Sequence, residues 1–276
     1  MHHCQITTFS AMLAHMKSSF FLFVGSVFAF ALSPSLCAEI KEGAVEYQAG
    51  TVLCEGWRAV DTAKSGKRPS VLIIHQWTGL SDNEKMRARM LAELGFNVLA
   101  ADIYGKGIRP MPPAAGQEAG KYKGSRTLYR ERLNAALDVL RKDENTDPAR
   151  IVAIGYCFGG TGVIELARSG VAIKGVVSFH GGLDSPTPAD GKNIKGEVLV
   201  LHGADDPFVP AKDIAAFEGE MKDGSVKYNR INYPGAVHAF TQKGAGNDNS
   251  KGAAYNEAAD KASWEEMKKF FARLLQ

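Results

Sequence analysis

The sequence predicts an α/β fold: a single domain built on a mostly parallel central sheet with helices on both faces. Three observations carry this expectation. Short continuous aliphatic runs recur along the chain, at 70–75 (SVLIIH), 150–154 and 197–202, as in strands buried on both faces. Between them stand segments whose apolar residues fall at helical spacing. Reactive side chains gather just past the aliphatic runs, where ligands bind in such sheets. Nothing between residues 39 and 276 reads as a linker, and a 45% hydrophobic content supplies one large core.

Taken in order, residues 45–47 and 51–60 read as an antiparallel hairpin turning at Ala49-Gly50, followed by a polar turn at 64–69. After the buried strand 70–75, Ser81 and Glu84 form a capping box that opens a helix to about Leu94. Met86, Met90, Leu91 and Leu94 are its expected apolar stripe, and Gly95 ends it. Residues 97–101 form the next buried strand. Residues 102–120 are rich in Pro and Gly and read as a long irregular loop of functional type. A helix over 126–140 carries Leu133, Leu137 and Leu140, and Pro148 closes the connection to a strand at 150–154. A helix at 161–169, strands at 175–179 and 197–202, a helix at 211–221 and a strand at 226–233 continue the alternation. The tail, 253–275, is read as a helix with Trp264, Met267, Phe270 and Phe271 facing the core.

Residues 1–38 read as a signal peptide rather than fold, with Met16 as a plausible true start. Lys17 precedes an uncharged, mostly apolar run at 20–32, short for a membrane span, and Ala38 is the expected cleavage residue before Glu39. The protein is therefore expected to be exported, periplasmic or secreted, and free of the membrane once cleaved. Losing Lys17 lowers the formal net charge from +3 to +2. Neither figure, nor any Lys/Arg run, suggests nucleic acid as a partner. A monomer acting on a small molecule is expected. Cys54 and Cys157 are the only cysteines past residue 38, and their places, an early strand and a turn, argue against a disulfide.

The chemistry centres on Gly155-Tyr156-Cys157-Phe158-Gly159-Gly160. A strand enters this stretch and a helix leaves it, the context of a nucleophile elbow with cysteine at the centre. The helix N-terminus favours a thiolate there. Two further groups follow strands: Asp205-Asp206 after 197–202, and His238 after 226–233. Nucleophile, acid, histidine is the chain order of α/β-hydrolases. A neutral imidazole can take a thiol proton near neutral pH, and a carboxylate on its far nitrogen orients it. The backbone N–H groups of Phe158 and Trp77 are the expected oxyanion donors. His180 and His202 read as packed structural histidines, and Asp102 as a structural strand-end carboxylate.

At VLIIHQWTGL (71–80), AADIYGKG (100–107), IGYCFGG (154–160), VSFHGGLDSP (177–186), VLHGADDPFVP (200–210) and GAVHAFT (235–241), the chain resembles the dienelactone hydrolase family of α/β-hydrolases. The resemblance covers nearly all of 43–275. It implies a nucleophile at Cys157, a triad acid at Asp206 rather than Asp205, a histidine at His238 and oxyanion amides at Trp77 and Phe158. It also implies a hydrolase of small carboxylic esters or lactones, working through an acyl-thioenzyme without metal or cofactor. No ligand cluster for a metal is visible, since His2 and His3 lie in the segment to be removed. Two positions depart from the family. Gln76 stands where its members usually carry a glutamate that helps charge the cysteine, which makes it an auxiliary position. Gln242 stands where the members specific for dienelactone carry a carboxylate-binding arginine, leaving Arg109 or Arg126 as substitutes. Competing readings are a non-catalytic binding protein of the same fold and an acyltransferase using the same triad.

Overall fold

The computed structural model describes residues 39–276. The expected targeting segment, 1–38, lies outside the described residues. Eight strands form one sheet in the order β1-β2-β4-β3-β5-β6-β7-β8. They are β1 (Ile40–Ala49), β2 (Val52–Asp61), β3 (Arg68–Ile74), β4 (Asn97–Ala101), β5 (Thr146–Tyr156), β6 (Gly175–Phe179), β7 (Glu197–Gly203) and β8 (Tyr228–Tyr233). β1, β2 and β4 pair antiparallel at one edge, and every other pairing is parallel. The order reverses at β3, which lies between β4 and β5. That reversal opens a crevice at the carboxyl ends of the strands.

Among the described residues, six α-helices flank the sheet: α1 (Asp82–Glu93), α2 (Ala114–Gly124), α3 (Arg126–Lys142), α4 (Phe158–Arg168), α5 (Ala211–Asp223) and α6 (Glu257–Leu274). Successive strand residues point to opposite faces. Leu72, Ile74, Ile151 and Ala153 therefore pack with α3, α4 and α5, while Val71, Ile73, Val152 and Ile154 pack with α1 and α6. No helix among the described residues is long and apolar enough to cross a membrane.

The structure alters four sequence expectations. The capping box forms, with Glu84 accepting from the Ser81 N–H at 2.9 Å, but the buried side of α1 is not the expected stripe. Leu91 is buried with Ala88, Ala92, Glu84 and Arg87, whereas Met86 and Leu94 are exposed. Arg87 is drawn inward by Asp260 of α6 at 2.6 Å, a partner 173 residues away that no local pattern reveals. The segment expected to be irregular contains α2, which starts after Pro112-Pro113 and carries too few large apolar residues to show a stripe. β5 begins at Thr146, and Pro148 sits inside it where the pairing with β3 skips from Thr146 to Ile151; the bulge spares a ladder N–H that proline lacks. The last helix starts at Glu257, capped by Asn256, because the chain at Ala253 instead pairs with His238 as a short bridge, through the Gly252 carbonyl and the Ala254 N–H.

Candidate active site

The elbow is made by backbone approaches that only glycine allows. A Cβ on Gly155 would lie 1.9 Å from the Gly159 carbonyl oxygen, and one on Gly159 would lie 2.2 Å from that of Ile74. These contacts press the start of α4 against the end of β3. Cys157 takes φ 55° and ψ −113°, a strained conformation for a residue with a side chain. Its N–H is held by the Phe179 carbonyl of β6 at 3.0 Å. α4 begins at Phe158 itself, so Cys157 is the N-cap residue and its sulfur stands at the positive end of the helix.

Asp206 and His238 arrive from the next two connections. His238 Nε2 is 3.0 Å from Cys157 Sγ, and its Nδ1 is 2.9 Å from Asp206 Oδ2. The other Asp206 oxygen accepts from the Phe208 N–H at 2.8 Å, which fixes the carboxylate. Asp205 turns away and accepts from the Gly235 N–H, holding the turn before His238. The structure thus brings Cys157, His238 and Asp206 into one hydrogen-bonded line. The His238 loop is tied down by its N–H to the Gly252 carbonyl and by the Ala254 N–H to its own carbonyl.

The electrostatics of the line follow from its burial and charges. Burial pushes the Cys157 thiol up, but the adjacent His238 charge, the His238 hydrogen bond and the Phe158 N–H together bring it below the ordinary thiol range. Burial likewise disfavours a charged His238, yet the Cys157 sulfur and Asp206 outweigh it and raise the imidazole to about 10. Both directions favour a thiolate–imidazolium pair at neutral pH. Cys54 is the contrast: it is a free thiol in the core, pushed up to about 11 by burial.

A cavity of about 200 Å³ opens over the sulfur. Trp77, Ala119, Phe158, Phe208 and Val209 give it apolar walls, and Lys123 and Thr161 add polar groups. Phe208 packs edge-on to the His238 ring at 5.4 Å. Trp77 and Phe158 are therefore both beside Cys157, and the Trp77 N–H donates to no acceptor among the described residues. Gln76 is not part of this wall. It lines a separate cavity with Arg87, Thr241 and Gln242.

Other expectations divide. His180 donates to or accepts from Thr241 Oγ1 at 2.8 Å and is fully buried, and His202 is buried too. Burial holds both below the usual histidine range. Asp102 accepts from the N–H groups of Glu55, Tyr104 and Gly105, a structural use. Arg109 is bound to Asp102 and Arg126 to Asp184, and neither lines the cavity over Cys157. Lys123 does, and sequence reasoning missed it. The only signal is a cation near the end of the Gly-Lys-Tyr-Lys-Gly stretch, 120–124, which begins inside the expected loop. Among the described residues, no group of three or more His, Cys, Asp or Glu side chains is arranged to hold a metal ion.

The dienelactone hydrolase family profile matches residues 57–275, most of the chain and every residue of the line. The chain belongs to the dienelactone hydrolase family. This places it among hydrolases of the α/β-hydrolase fold. A dienelactone hydrolase-like promiscuous phosphotriesterase, P91, from metagenomic libraries is similar at 37% identity. The similarity covers 86% of this chain and 99% of P91, with a TM-score of 0.82. A protein of Saccharolobus solfataricus provisionally named carboxymethylenebutenolidase is 28% identical over 79% of this chain and 94% of its own. The dienelactone hydrolase of Anabaena variabilis, at 20% identity and a TM-score of 0.64 over 86% of this chain and 99% of its own, shares the fold.

Proposed function

We propose that this dienelactone hydrolase family member cleaves small carboxylic esters or lactones with Cys157 as nucleophile, His238 as proton carrier and Asp206 as its orienter. The observation that carries the reading is the unbroken line from Cys157 Sγ through His238 to Asp206, at 3.0 and 2.9 Å, on the floor of a small apolar cavity. The thiolate attacks the carbonyl carbon, and the resulting oxyanion accepts from the Trp77 and Phe158 N–H groups. Collapse breaks the C–O bond, and the departing alkoxide takes the proton of the imidazolium. For a lactone, the new hydroxyl stays on the acyl chain. Neutral His238 then takes a proton from water as its oxygen attacks the thioester. The second collapse returns the thiolate and releases the acid, with the imidazolium restored. Asp206 keeps the proton-bearing Nδ1 fixed throughout.

The test is hydrolysis of a p-nitrophenyl ester by wild type and Cys157→Ala. Turnover should fall to background in the variant, with its melting temperature unchanged within a few degrees. Equal turnover in both proteins would favour a binding role for the fold. Added alcohol that diverts the acyl group to a new ester would move the reading to acyl transfer with the same residues.

The cavity also suggests which esters fit. Its volume suits a compact acyl group. The Lys123 ammonium enters no ion pair among the described residues, and its charge contributes to lowering the Cys157 thiol. An ester bearing a carboxylate on its acyl part would meet that charge. Lys123→Met should raise KM for such an ester about two- to fivefold and leave KM for a neutral ester of equal size unchanged, because an exposed charge pair is worth at most about 1 kcal/mol. The difference should shrink in high salt. An equal change for both esters would remove Lys123 from substrate recognition.

A further inference from the structure

The carbonyl groups on either side of the Trp77 amide are held from below by two buried side chains that take no direct part in the proposed chemistry. His75 Nδ1 lies 2.6 Å from the Gln76 carbonyl oxygen. Its Nε2 accepts from the Ile103 N–H at 3.1 Å. With Nε2 engaged as acceptor, the neutral ring carries its proton on Nδ1 and donates it to Gln76. The ring is fully buried, packed edge-on to Tyr104 at 4.6 Å and stacked with Phe158 at 5.7 Å. The Tyr104 hydroxyl in turn donates to the Trp77 carbonyl at 2.9 Å.

The Gln76 carbonyl and the Trp77 N–H belong to one peptide unit. That unit is planar and trans, so the two groups point in opposite directions. A donor that fixes the carbonyl on the buried side therefore fixes the N–H on the other side. We propose that His75 is the positioning residue of the oxyanion site, setting the direction of the Trp77 N–H through its Nδ1–H bond to the Gln76 carbonyl. The inference rests on the proposed role of the Trp77 amide. A hydrogen bond to the carbonyl also polarises the peptide, which makes its N–H a better donor. Burial holds the imidazole at about 4, so the ring stays neutral and keeps one tautomer across the working pH range. The Gly79 N–H shares the same carbonyl at 3.1 Å, but it lies in the turn that must be oriented and cannot anchor it to the core. On the other side of the site the Tyr129 hydroxyl donates to the Phe158 carbonyl at 2.8 Å, as the Tyr104 hydroxyl does to that of Trp77, while the Cys157 carbonyl, which shares a peptide unit with the Phe158 N–H, is held by the Gly160 and Thr161 N–H groups of α4.

Two half-replacements separate this role from simple packing. Asparagine can keep a donor where Nδ1 stands, and glutamine can keep an acceptor where Nε2 stands. His75→Asn should retain kcat within about threefold. His75→Gln should lose about 10- to 100-fold of kcat with KM little changed, on the scale of a weakened oxyanion donor. In both, the pH profile of Cys157 alkylation by iodoacetamide should match wild type, because His238 and the Phe158 amide set it. Equal losses in the two variants, or a greater loss in His75→Asn, would overturn the proposal. If either variant fails to fold, nitrogen-15 NMR of the wild-type imidazole decides: a proton on Nδ1 from pH 5 to 9 supports the bond, and a proton on Nε2 excludes it. Failure of the underlying ester-hydrolase reading shows separately, as turnover that survives Cys157→Ala.

Discussion

Replacing His238 with glutamine is expected to lower kcat/KM for a p-nitrophenyl ester by at least about 10⁴-fold, as loss of the base does in comparable triads. It should also shift thiol reactivity in a defined direction. In the wild type the Cys157 thiol is held below the ordinary range and His238 is raised to about 10. Below the Cys157 value the thiolate is protonated, and above about 10 the imidazolium loses its proton. Iodoacetamide should therefore label Cys157 readily across neutral pH. Without the imidazolium, the burial that opposes a thiolate remains and its main counter-charge is gone, so labelling should require a pH above that of an ordinary cysteine. Cys54, pushed up to about 11, stays silent at neutral pH and serves as the internal control. An unchanged alkylation profile in His238→Gln would mean that the helix N-terminus and the Phe158 amide alone charge the thiol.

The second large effect concerns the backbone. Gly155→Ala should destabilise the fold by about 3 kcal/mol or more, since its methyl group would sit 1.9 Å from a backbone oxygen that no rotamer can move. For a chain of this size that corresponds to a fall in Tm of about 6–12 °C. Activity should drop further than stability, because relief of the clash separates β5 from α4 and displaces Cys157. Thermal melts beside ester turnover check both. A variant with wild-type Tm would show that the strand-to-helix turn has slack that its geometry does not suggest.

The parts legible in the sequence are those decided locally. Buried parallel strands announce themselves as aliphatic runs, so β3, β4, β6 and β7 fall where expected. The elbow is readable because Gly155 is required by a backbone contact four residues away, although Gly159 is required by the distant Ile74 carbonyl. The Asp205-Asp206 pair and His238 are readable from their places just after strands and from chain order, and the family resemblance selects Asp206 of the pair. What escaped depends on partners distant in sequence. The buried face of α1 is set by the ion pair of Arg87 with Asp260, and the start of α6 by the bridge that its approach makes with His238. α2 escaped because its Ala- and Gly-rich turns bury only Ala115, Ala119 and Tyr122. With α2 unread, Lys123 could not be placed over the sulfur. The resemblance marks Gln76 because it stands where the family carries a glutamate before Trp77, yet adjacent residues can line different cavities, and these two do.

In the proposed mechanism the acyl group is carried on Cys157 between the two half-reactions. Wild-type protein mixed with p-nitrophenyl acetate, quenched in acid within the first turnovers and digested for mass spectrometry, should show one acetyl group on the peptide containing Cys157, removable by hydroxylamine. An acetyl group on any other residue, or nitrophenol release at the wild-type rate by Cys157→Ala, would contradict it.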